Sequence, residues 1–136
     1  MESMKRALAL IDDEAEQQGP DRPPRNWQRL TDEYPEVVAA YDTLSNVCRH
    51  AGPLDEPTIA LAKLAVSVGL GSQRTVHAHT KKALRAGVDP EALRQVALVA
   101  LPTVGLPAAL DSLRWIDESI HEALPAASSL RRREPI

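Results

Sequence analysis

The apolar positions of this 136-residue chain are densest between Asp55 and His79. Ile59, Ala60, Leu61, Ala62, Leu64, Ala65, Val66 and Val68 surround a single charge, Lys63, so the segment is apolar on nearly every side of a helix. This pattern predicts a buried central helix. It is too short for a bilayer, which needs about 20 apolar residues. After Gly69-Leu70-Gly71, Ser72 is placed to cap a second helix whose positions Ser72, Thr75, Val76, His79 and Ala83 recur on one face. Gly87 closes that helix, and Asp89-Pro90-Glu91 opens another, with Asp89 as cap, Pro90 in the first turn and Leu93, Val96, Ala97, Val99, Ala100 and Leu101 as its apolar run.

Weaker patterns flank this centre. Met4 to Gln18 predicts an amphipathic helix with Ala7, Leu8, Leu10 and Ile11 as its stripe, and Gly19 to Arg25, with three prolines, a linker. Asn26 to Asp32 predicts a helical turn. Pro35 opens a helix through Val37, Val38, Tyr41, Leu44 and Val47 to near Gly52, and a last helix is expected over Pro107 to Leu124. The expected organisation is an N-terminal helix and linker over 1–25, one helical domain over 26–124 and a disordered tail over 125–136. The fold class is all-α, with about six or seven helices.

Composition narrows the function classes. With two Trp, two Tyr and no Phe, the core must be aliphatic. Sixteen basic against 19 acidic residues give a net charge of −3, which is no electrostatic footprint for nucleic acid. The run Arg131-Arg132-Arg133 is short, terminal and followed by Glu134, as in a solvated tail. One cysteine, Cys48, excludes an intrachain disulfide and is expected to be a small buried hydrophobe. Asp12, Asp13 and Glu14 follow the first short apolar run too soon for a signal-peptide core, so a cytoplasmic location is expected, with no membrane partner.

The block from Leu54-Asp55-Glu56 through Ala65-Val66-Ser67-Val68, then Gly71 to His79-Thr80-Lys81-Lys82-Ala83-Leu84, Ala86 to Glu91 and Gly105-Leu106-Pro107-Ala108-Ala109 resembles the carboxymuconolactone decarboxylase and alkylhydroperoxidase-D-like superfamily over roughly residues 35 to 123. The resemblance implies a helical bundle of that type and a homo-oligomer, often trimeric or hexameric. In the redox branch a glutamate sits on the buried helix, and the next helix opens with Cys-x-x-Cys followed by His. At those spacings this chain has Ala60, Ser72, Thr75 and His79. Only the histidine is kept. The decarboxylase branch also usually carries the glutamate, so Ala60 departs from both patterns.

Peroxide reduction in the redox branch needs a thiolate activated at a helix N-terminus and a second thiol to resolve the sulfenate. Hydroxyls at Ser72 and Thr75 supply neither. The remaining candidates are His79 as general acid or base, and Lys63, Arg74, Ser72 and Thr75 as ligand-binding residues around a small carboxylate. Each also has a plainer reading: His79 as a partly buried structural histidine, Lys63 as a snorkelling lysine, Arg74 as a solvent-facing arginine. His77 is offset from His79 by two residues, cannot share a metal with it, and is expected at the surface or an interface. His50 and His121 lie near helix ends. No metal site and no cofactor are expected.

Two functional readings therefore stand. One is a non-redox oligomeric module without established activity; the other is a ligand-binding protein or a lyase or isomerase acting on a small carboxylate through His79. Peroxiredoxin-like activity is disfavoured. The chain is predicted not to turn over hydrogen peroxide or organic hydroperoxides in an assay with a dithiol reductant. Robust turnover abolished by Cys48→Ser would contradict this reading.

Overall fold

A computed structural model of the chain describes residues 25–124, and within them six helices carry the regular structure. In chain order they are α1 (Arg25–Glu33), α2 (Pro35–Arg49), α3 (Glu56–Leu70), α4 (Gln73–Arg85), α5 (Pro90–Val104) and α6 (Leu106–Ala123). The expected N-terminal helix Met4 to Gln18, the linker up to residue 24 and the tail over 125–136 lie outside the described residues. The chain forms two compact units that divide between Pro53 and Leu54.

In the first unit α1 packs against α2, joined through Tyr34, whose N–H donates to the Leu30 carbonyl at 2.8 Å. Trp27 meets Tyr41 edge to face, with ring centroids 5.8 Å apart. The segment expected as a single turn is thus a helix of nine residues. Helix α2 stops at Arg49, earlier than the glycine at 52 suggested, with His50 closing its last turn on the Asn46 carbonyl. Only Val38 of α2 is buried; Val37, Tyr41, Leu44 and Val47 line an exposed stripe. Cys48 is exposed as well, which corrects its expected burial. The reason is local, since among the described residues of its unit α2 has only the short α1 to pack against.

The second unit starts from local caps. The Asp55 carboxylate accepts the Thr58 N–H at 2.9 Å, and the Asp89 carboxylate accepts the Glu91 N–H at 2.7 Å, each ahead of a proline in the first turn. Between α5 and α6 a single residue turns the corner. Gly105 adopts φ +92°, a left-handed conformation that an L side chain would strain, and its N–H donates to the Leu101 carbonyl.

Four helices close around an aliphatic core of Leu64 and Val68 from α3, Val76 and Ala83 from α4, Leu93 and Ala97 from α5, and Ile116 and Ile120 from α6. Helix α6 packs on both α4 and α5, while α3 covers α4 and α5. Helix α3 is buried on one face only: Ile59, Leu64, Ser67 and Val68 are covered, whereas Val66 is 64% and Leu70 71% exposed. This corrects the expectation of a fully buried central helix. A four-helix unit covers one side of each helix, and the apolar residues on the other side stay in solvent.

Ile116 is fully buried at the centre of this core. Ile116→Ala should cost about 2–5 kcal/mol in urea unfolding, the usual range for removing a large aliphatic side chain from a close-packed site. A loss under 1 kcal/mol would show that the core is not packed around α6.

Candidate functional site

The corner between α3 and α4 places the residues singled out by spacing. Gly71 ends α3 at φ +66°, with its N–H on the Val68 carbonyl, and Ser72 follows in extended conformation. The Ser72 hydroxyl accepts the Thr75 N–H at 3.4 Å, and the Thr75 hydroxyl donates to the Ser72 carbonyl at 3.2 Å. Both hydroxyls are thereby engaged in starting the helix. Ala60 sits half-buried against the core.

His79 lies one turn beyond Thr75 and is half-buried. Burial holds its imidazole below the ordinary histidine range, and the ammonium groups of Lys82 and Lys63 push it further down. Lys63 of α3 and His79 of α4 therefore share one electrostatic environment. Lys82 was missed by the sequence reading, although its place three residues after His79 on one helix is a local signal. Arg74 lies exposed in the first turn of α4, and the cations acting on His79 are the two lysines instead.

His77 lies at an interface, and that interface is within the chain. Its side chain is 22% exposed and bound to α6: Nδ1 is 2.6 Å from Ser119 Oγ, and Nε2 is 3.3 Å from Glu118 Oε2. One turn on, Lys81 pairs with Glu122 at 2.9 Å. On the α5 side Arg94 joins Asp117 and Glu91, each at 2.6 Å, and the Asp117 contact raises the guanidinium above its ordinary range. The acidic side chains of α6 thus clasp α4 and α5. Burial lowers the His77 ring below its ordinary range, while Glu118 and Glu122 oppose the shift.

An open concavity of about 650 Å³ runs along α6 from Leu110 to Glu122. Its described lining does not include Lys63, Ser72, Arg74, Thr75 or His79. Among the described residues, no group of three or more His, Cys, Asp or Glu side chains is arranged to hold a metal ion, and no helix is long and apolar enough to cross a membrane.

No curated protein and no solved structure matches the chain. The model of the carboxymuconolactone decarboxylase family does match, over residues 35–118, which takes in α2 through most of α6 and more than half of the sequence. The chain belongs to the carboxymuconolactone decarboxylase family and, with Cys48 as its single cysteine, has no disulfide-forming pair.

Proposed function

We propose that this chain is a non-redox member of its family that works as a homo-oligomeric module. The observation that carries the loss of redox chemistry is the state of the two thiol positions. The Ser72 and Thr75 hydroxyls are tied into the first turn of α4, and neither has a thiolate's capacity to attack a peroxide and pass through a sulfenate. Cys48 stands outside that position, on α2.

Assembly is supported by the one-sided burial of the helices. Val66 and Leu70 of α3, Leu98 and Val99 of α5 and Leu106 and Leu110 of α6 are each more than half exposed. Apolar surface of this extent is favourably removed from water by neighbouring subunits. The chain should run in light scattering as a stable oligomer, a trimer or hexamer, at micromolar concentration, and Val66→Glu should lower its mass by charging that surface. A monomer mass across the concentration range would overturn the assembly half of the proposal.

A second reading rests on a different observation, the pair of lysines that act on His79. Two ammonium groups beside a half-buried, uncharged imidazole form a setting that favours a small carboxylate, with the lysines holding the anion and His79 taking or giving a proton. Because the His79 pKa is depressed, the folded chain binds fewer protons than the unfolded chain near the ordinary value of 6.5. Its contribution to stability is present above that pH and is lost as the pH falls through the folded value.

Lys63→Ala should raise the His79 pKa in a histidine-ring NMR titration, because a neighbouring positive charge is removed. The same substitution should weaken binding of malonate or acetate, used as probes. An unmoved His79 titration, or carboxylate binding equal to that of the parent chain, would leave Lys63 as a lysine that only reaches solvent.

A further inference from the structure

The contact between His77 and α6 has no part in the proposed function, and it joins residues 42 positions apart. Glu118 Oε2 is an acceptor when ionised, so the hydrogen on the uncharged ring belongs on Nε2, facing it. Nδ1 then carries a lone pair, and the Ser119 hydroxyl, 2.6 Å away, is the donor. Ser119 is fully buried. The Gln73 side-chain amide, one turn earlier on α4, is 3.5 Å from Nε2 and, beside an Nε2–H, has to present its oxygen rather than its nitrogen. The charged groups that act on the ring among the described residues are Glu118 and Glu122 of α6 and Lys81 of α4, the last two paired with each other.

We propose that this contact is a proton-gated latch between α4 and α6: uncharged His77 accepts the Ser119 hydroxyl, and a proton taken from solvent at Nδ1 reverses that bond. In the charged ring Nδ1–H donates, so Ser119 Oγ must accept and its own hydrogen has to turn to another acceptor inside the core. The imidazolium gains an ion pair with Glu118, but that carboxylate is 44% exposed and the pair is correspondingly weak. Against it stands the cost of placing a charge on a mostly buried ring. Acid therefore loosens the seam. The depressed titration of His77, caused first by burial, agrees with this direction.

The proposal concerns α4 and α6 alone and is independent of what, if anything, binds near His79. The test uses the full chain, with ring NMR to follow each histidine and hydrogen exchange to follow the seam. His77 should show the Nε2–H tautomer and titrate below the ordinary value of 6.5. Seam amides of α4 and α6 should exchange roughly threefold faster or more at about pH 5.5 than at about pH 7.5, after correction for intrinsic exchange. His77→Gln, which keeps a polar side chain but does not titrate, should shrink that difference to the part due to His79. Glu118→Gln should move the His77 titration further down, since the opposing charge is lost. A seam whose protection is independent of pH, or whose pH dependence is undiminished in His77→Gln, overturns the latch. Should His77→Gln fail to fold, an unchanged His77 titration in Glu118→Gln overturns it equally.

Discussion

The second unit depends on how closely α6 can approach α4 and α5. The residues at that seam are small: Ala83 and Thr80 on α4, Ala97 on α5, and Ala109, Ser112 and Ser119 on α6 are all buried. With little side chain between the backbones, Ile116 and Ile120 can reach the middle of a core that has no phenylalanine to fill it. Thr80 is tolerated there because its hydroxyl donates locally to the Val76 carbonyl at 2.7 Å, and Ser119 because it bonds His77 across the seam. Around this apolar centre the ion pairs of Lys81 and Arg94 fix the rotation of α6 at its rim. Each pair is partly exposed and contributes little on its own, so the apolar seam sets the stability and the rim sets the register.

The corner between α3 and α4 is held by its own hydroxyls. Ser72 and Thr75 use their side-chain oxygens to begin α4, a role for which hydroxyls are well suited. One turn on, burial first, and then the cations of Lys82 and Lys63, hold the His79 ring below its ordinary range.

Much of this was legible in the sequence where the cause is local. Ser72 and Asp89 announce their helices because a cap acts over two or three residues, and the structure starts α4 and α5 one residue after each. The link between Lys63 and His79 was legible only through the resemblance, since spacing along one chain does not say which helices face each other. What stayed hidden depends on distant partners. Nothing near His77 marks Ser119 as its neighbour, and nothing within α3 or α2 marks which apolar face is left open, so the partner of His77 went unnamed and Val66 and Cys48 were misplaced. Lys82 was a local signal passed over.

The two tryptophans are divided between the two units. Trp27 meets Tyr41 in the first, and Trp115 packs against the core of the second. Each indole has a different quenching environment: one beside a tyrosine ring, the other with its Nε1 enclosed and without a hydrogen-bond partner. With no phenylalanine and only two tyrosines, the near-ultraviolet signal of the chain comes mainly from these two rings. Replacing one indole at a time thus converts the natural sequence into a pair of optical reporters, each reading the melting of its own unit without an attached dye.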